Sequence, residues 1–246
     1  MFLQAFLFTL IPLLAAVAGS VLAFYWTPGP EARSYIQHFA AGVVLAAVTG
    51  ELLPKVVEGG QHVGLAVVGF LAGLGVMLAI KLLSHGGGTG AKGSVKAGTH
   101  GGGAISLSVT AGVDTLVDGF VIGLGFVVGG GAGPLLALAL AVELFFLSLS
   151  AAAAIGQPGR SRRWVIWVGL GLGFLVMAGA MLGVALLGGA PAGLVIAVLA
   201  FGSVALLYLV TEELLVSVRN VSETPWHTLV LFTGFISVFV VEMLVH

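Results

Sequence analysis

Two stretches decide how this chain is read: FAAGVVLAAVTGELLPKV, from Phe39 to Val56, and FGSVALLYLVTEELLVSV, from Phe201 to Val218. Laid on one another at a shift of 162 residues, they agree at eight of eighteen positions, including Thr49/Thr211, Glu51/Glu213, Leu52/Leu214 and Leu53/Leu215. Leucine and valine coincide cheaply in apolar segments, but a shared Thr-x-Glu-Leu-Leu does not. At a shift of 165, His62/His227, Gly69/Gly234 and Phe70/Phe235 also coincide, which carries the match into the next segment of each copy. Both copies are long apolar segments with a carboxylate inside them.

The rest of the chain has the same character. Charged residues make up 8% of its 246 positions, against roughly 25% in an ordinary globular protein. So little charge cannot cover the surface of a soluble domain of this size, which excludes a water-soluble enzyme. Nine Lys and Arg with a net charge of −1 give no basic face for nucleic acid. The absence of Cys excludes disulfides and thiolate metal sites. A helix needs about 20 mostly apolar residues to cross a bilayer. Eight such runs fall near 3–25, 35–57, 62–84, 104–129, 133–156, 164–188, 190–218 and 226–245. None shows the ten-residue alternation of a membrane β-barrel. The first run lacks a basic leader and reads as a true span rather than a signal peptide.

The expected fold is therefore an all-α polytopic membrane protein of eight transmembrane helices in one domain. Residues 1–84 form one repeat, 104–156 two central helices, and 164–246 the second repeat, a 3+2+3 arrangement. Residues 85–103 are about half glycine and read as a flexible cytoplasmic linker that includes His85 and His100. With the N-terminus outside, the inner loops hold Arg33, Lys81, Lys92, Lys96, Arg160, Arg162, Arg163 and Arg219, and the outer side only Lys55. That asymmetry fixes the orientation and places both termini outside. Helix 2 then runs outward and helix 7 inward, so helices 1–3 and 6–8 form an inverted repeat, a signature of secondary transporters.

Seven of the ten acids fall inside these spans: Glu51, Asp114, Asp118, Glu143, Glu212, Glu213 and Glu242. Intramembrane carboxylates are expensive and usually functional. Only Lys55 and Lys81 share the spans with them, both near helix ends. The acids must therefore be protonated or gather around a cation. Asp114 and Asp118 are one helical turn apart on span 4, near its middle, and Glu143 is near the middle of span 5. If the two helices pack face to face, the three carboxylates converge, with Thr115 and Ser148 as neutral oxygens nearby. Such a set suits a hard or borderline divalent cation. The inversion places Glu51 and His62 toward the outer side and Glu213, His38 and His227 toward the inner side, as relay positions. Gly119, Gly123 and Gly125 read as close-packing positions, and Phe145 and Phe146 as packing beside Glu143.

Taken together, these residues resemble the ZIP (zinc- and iron-regulated-like) divalent metal transporters along nearly the whole chain. AAGVVLAAVTGELLPK and ALLYLVTEELL look like that family's span-2 and span-7 patterns, and a variable Gly/His loop follows span 3. Where the family carries His-Asn-x-Pro-Glu-Gly on span 4, this chain has Asp114-Thr115-Leu116-Val117-Asp118-Gly119. Where it carries His/Gln-Glu/Asp-x-Pro-Glu on span 5, this chain has Val142-Glu143-Leu144-Phe145-Phe146. The resemblance implies Asp114, Asp118 and Glu143 as metal ligands, with Glu51 at the entrance and Glu213 at the exit. The lost histidine shifts the expected cargo from zinc alone toward manganese, iron or a broad divalent range.

The expected function is import of a divalent metal ion by alternating access across a cytoplasmic (inner) membrane, with no enzymatic activity and no prosthetic group. The partners are the metal ion and the lipid bilayer, with no nucleic acid; a homodimer is left open. The alternative is a ZIP-like protein that binds metal without transporting it, as a sensor or structural partner. A carrier for an organic anion would need an intramembrane cation to meet it. A membrane hydrolase would need His-Glu-x-x-His or Gly-x-Ser-x-Gly, and neither is present.

Overall fold

The computed structural model describes every residue except 24, 27, 86–100, 130, 156–161, 216–223 and 246. The Gly/His linker and the inner-loop residues Lys92, Lys96, Arg160 and Arg219 lie outside the described residues. Among those described there are helices and short turns, with no strand. The helices are α1 (Phe2–Leu22), α2 (Pro30–Ala47), α3 (Leu53–Glu58), α4 (Val63–His85), α5 (Gly101–Val128), α6 (Ala132–Ile155), α7 (Arg162–Leu187), α8 (Ala192–Tyr208) and α9 (Pro225–Val245). A π segment, Val48–Leu52, joins α2 to α3 without a break, and another, Leu209–Leu214, continues α8.

Six rods among the described residues are long and apolar enough to cross a membrane: Phe2–Leu22, Pro30–Glu58, Gly60–Leu82, Ala132–Leu149, Ile166–Leu187 and Ala192–Glu212. α9 carries a shorter apolar stretch, Pro225–Val241. The outer surface is apolar as well, with Leu3, Leu71, Leu186 and Met243 exposed. This is the fold of a membrane-embedded protein, in which lipid replaces water around an apolar exterior. The rod Pro30–Glu58 starts five residues before the apolar run expected at 35. Hydropathy marks where lipid begins, whereas Pro30 marks where the helix begins: its fixed φ and missing N–H suit the first helical position.

The rods are not equally central. The apolar windows of Pro30–Glu58 and Ala132–Leu149 are 61% buried and that of Gly60–Leu82 only 22%, so α2 and α6 form the interior and α4 the rim. α5 packs along α7, α1 along both α6 and α7, α2 along α9, and α4 along α8. α5 and α6 also pack on each other, joined by a turn in which Gly129 and Gly131 take φ of 78° and 85°. Small residues allow these approaches: a Cβ on Gly119 would run into the Val176 carbonyl of α7, and one on Gly42 into the Leu231 carbonyl of α9. Close backbone contact of this kind replaces the hydrophobic drive that is missing between helices in lipid. The packing role expected of Gly119 and Gly123 is the observed one, since Gly123 meets Ala180 of α7 in the same way.

Candidate metal centre

Asp114 and Asp118 lie on one face of α5, and Glu143 faces them from α6. One carboxylate oxygen from each falls within 4.8 Å of the other two. Asp118 and Glu143 are 4% and 5% exposed, and Asp114 is half-buried. The connecting turn sets this convergence. Asp118 lies ten residues before the end of α5 and Glu143 eleven after the start of α6, each roughly 15 Å from the turn at 1.5 Å rise per residue. Two antiparallel helices leaving one tight turn thus bring these residues to the same depth, about half of a 30 Å hydrocarbon core. Three carboxylates this close, two of them out of solvent, need positive charge among them, as protons or as a cation. The donor set is all oxygen.

Around this centre Thr115 is fully buried on α5. Ser148 is also buried; its hydroxyl donates to the Phe145 carbonyl at 2.9 Å, and it packs against Gly19 of α1. Phe145 and Phe146 stack edge to face beside Glu143, as expected of packing residues.

The residues expected as relays are found toward the two ends of the bundle. At the end holding the α5–α6 turn, Glu51 is 5% exposed and its Oε2 lies 2.9 Å from Lys55 Nζ. Lys55 also donates to the Gly129 carbonyl at 2.8 Å, so one ammonium ties Glu51 to that turn. Beside it lies a cavity of about 570 Å³, lined by Lys55 and Glu58 with Val127, Leu187 and Ile196. At the opposite end Lys81 of α4 pairs with Glu212. Two acids from the expected surplus, Glu51 and Glu212, therefore have lysine partners; both pairs lie near helix ends, as the positions of the lysines allow. Glu213 belongs to the second π segment, but its side chain lies outside the described residues, as does that of Glu242. His38 is buried in α2 against His227 of α9, with ring centroids 5.0 Å apart. His62 ends the short 3-10 turn Gly60–His62 after α3.

The π segments are a feature that sequence reasoning missed. They coincide in the repeat alignment, since Val48–Leu52 shifted by 162 falls on 210–214. Their threonines also behave alike. Thr49 donates to the Leu45 carbonyl at 2.7 Å, and Thr211 to the equivalent Leu207 carbonyl at 2.9 Å. The shared Thr-x-Glu was the available signal, because a threonine hydroxyl bonded back one turn disturbs the helical ladder.

A scan of protein-family models and a search of curated proteins found no match to this chain.

Proposed function

We propose that the chain is a ZIP-like transporter that imports a divalent metal ion across a cytoplasmic membrane. The observation that carries this reading is the convergence of Asp114, Asp118 and Glu143 within 4.8 Å at mid-depth between two helices. An all-oxygen set of acidic ligands matches manganese, ferrous iron and zinc better than a soft ion. On this reading all eight rods span the bilayer, both termini are outside, and α1–α4 and α7–α9 form an inverted repeat. The coincident π segments and the matched Thr49 and Thr211 hydrogen bonds support it. An ion approaches by way of the cavity near Glu51 and Lys55, binds among the three acids, and leaves past Glu213 and His38. Rocking of one repeat against the other opens each side in turn.

The test is uptake of Mn²⁺, Fe²⁺ and Zn²⁺ into proteoliposomes containing the purified protein. Asp118→Ala and Asp114→Ala should each abolish most of the flux. Because carboxylates lose protons to bind metal, wild-type uptake should also fall on acidification. Undiminished uptake in both variants would overturn the site. Binding without flux in the wild type would leave a metal-binding membrane protein instead.

A further inference from the structure

The Lys55 ammonium makes two bonds that lead in different directions. One goes to Oε2 of Glu51 at 2.9 Å, one turn back on the same rod. The other goes to the Gly129 carbonyl at 2.8 Å, in the turn between α5 and α6. The rod Pro30–Glu58 is thereby tied to the two helices that carry Asp114, Asp118 and Glu143. The side chains of Glu51 and Lys55 are only 6% and 16% exposed, so this is not a loose surface pair.

The second copy of the repeat forms without such a lysine. Shifted by 162 residues, Glu51 falls on Glu213, but Lys55 falls on Ser217. The second copy nevertheless winds into its π segment with the same threonine hydrogen bond. The lysine is thus an addition at one end of the molecule, and a role particular to that end accounts for it.

Both of its bonds can be exchanged without stranding a group. The Gly129 carbonyl also accepts the Ala132 N–H at 3.4 Å, so it keeps a partner when the ammonium leaves. Glu58, three residues further along α3, lines the same cavity of about 570 Å³ as Lys55. At i,i+3 on a helix its carboxylate is within reach of a displaced ammonium. The cavity gives room to the moving side chain and to an arriving ion.

What can displace the ammonium follows from charge. Attraction to a carboxylate grows in proportion to the charge of the ion, so a divalent cation gains about twice what the ammonium gains at equal distance. A monovalent ion gains no more than the ammonium, and it competes with a group tethered one turn away. We propose that Lys55 is a latch and a charge filter at the Glu51 end. It holds α3 to the α5–α6 turn until a divalent cation takes its place on Glu51, and monovalent cations leave it shut. That the displacing ion goes on to the carboxylate centre rests on the function proposed above; the latch does not.

Spin labels on Val57→Cys and Leu138→Cys test this in the purified full-length protein by reporting the separation of α3 from α6. Both positions are exposed, and the chain has no cysteine of its own. Pulsed dipolar spectroscopy should show a short distance without divalent ions. Saturating Zn²⁺ should shift it to a longer one, and K⁺ in large excess should not. Lys55→Gln should start at the longer distance and respond to neither ion, whereas a merely structural lysine would leave the Zn²⁺ response in place. Should that variant fail to fold, Lys55→Gln combined with Glu51→Gln strands no charge and should behave in the same way. A wild-type distance that ignores Zn²⁺, or that K⁺ lengthens as well, overturns the latch, as does a Zn²⁺ response that survives the loss of Lys55. Asp118→Asn separates this proposal from the transport reading. Zn²⁺ should still open the latch in that variant, and opening there without any uptake by the wild type keeps the latch and removes the transporter. Opening that Asp118→Asn abolishes would put the trigger at the carboxylate centre and overturn the latch.

Discussion

Glu51 carries its counter-charge with it: Lys55 lies one turn further along the same rod and also holds the Gly129 carbonyl. The side chains of the pair are 6% and 16% exposed, so removing one partner strands the other in a poorly solvated place. Lys55→Met should cost about 3 kcal/mol of stability, the lower end of what breaking a buried pair costs. Lys55→Met combined with Glu51→Gln should recover most of that, since no charge is then left alone. Unfolding in mixed detergent and dodecyl sulfate, run as a double-mutant cycle, measures the coupling. Additive single effects would show that the two charges do not depend on each other. This pair was half legible in the sequence, because an i,i+4 spacing on a helix makes neighbours. The pair between Lys81 and Glu212 was not, because 131 residues separate them and only the packing of α4 on α8 brings them together. The acidic triad was the most legible feature of all. Asp114 and Asp118 share a helix face by spacing alone, and the short turn leaves Glu143 little choice of depth.

At the scale of elements, glycine placement sets which helices touch, and its consequences differ from one position to the next. The backbones of α5 and α7 approach so closely at Gly119 that a Cβ there would meet the Val176 carbonyl, whereas at Gly75 of α4 a Cβ would meet nothing within 4 Å. Gly119→Ala should therefore destabilise the protein by about 1–3 kcal/mol through overpacking. Gly75→Ala should be neutral, or stabilising by up to about 1 kcal/mol, since alanine gives up less backbone freedom in a helix. Thermal unfolding of the two variants side by side separates packing from propensity, and equal effects would refute the distinction. Because Gly119 directly follows Asp118, loss of this contact should also loosen the acid's position. The helices themselves were legible from apolar runs, but the π segments were not, because one extra residue in a turn leaves no mark on a short hydrophobic pattern. Pro54 lacks an N–H and would by itself suffice for a break in the first copy. The second copy winds the same way with Val216 at the aligned position, so the threonine common to both is the better explanation. A π turn re-aims the side chains that follow it and recurs at functional positions, in keeping with glutamates at Glu51 and Glu213.

Over the whole molecule, exchanging α1 with α7, α2 with α8, α4 with α9 and α5 with α6 turns each principal helix contact into another or into itself. The packing of α2 on α9 becomes that of α8 on α4, and the packing of α1 on α6 becomes that of α7 on α5. This supports an inverted repeat that includes the two central helices as partners, where the sequence match reached only the outer ones. A twofold relation of that kind leaves the two ends chemically different only through residues outside the match. Here the exposed Trp26, Trp167 and Trp226 do so, each lying at a helix end. They share one end of the bundle, since Gly169 of α7 packs on Ser20 of α1, and His227 of α9 packs on Tyr35 of α2. Tryptophan gathers at membrane interfaces, and on the topology proposed above, with the basic loops inside, this end is the cytoplasmic one. The chain has no cysteine, so single thiols can report on the orientation without background. Gly60 and Gly189 have open space around a Cβ, and Tyr25 is 83% exposed, so cysteine fits at all three. In intact cells a membrane-impermeant maleimide should label Gly60→Cys and Gly189→Cys, and should reach Tyr25→Cys only after permeabilisation. The reverse pattern would invert the protein and make the Lys55 end cytoplasmic. Labelling of Gly60→Cys without Gly189→Cys would break the even number of crossings between them, and with it the inverted repeat on which the path from Glu51 to Glu213 depends.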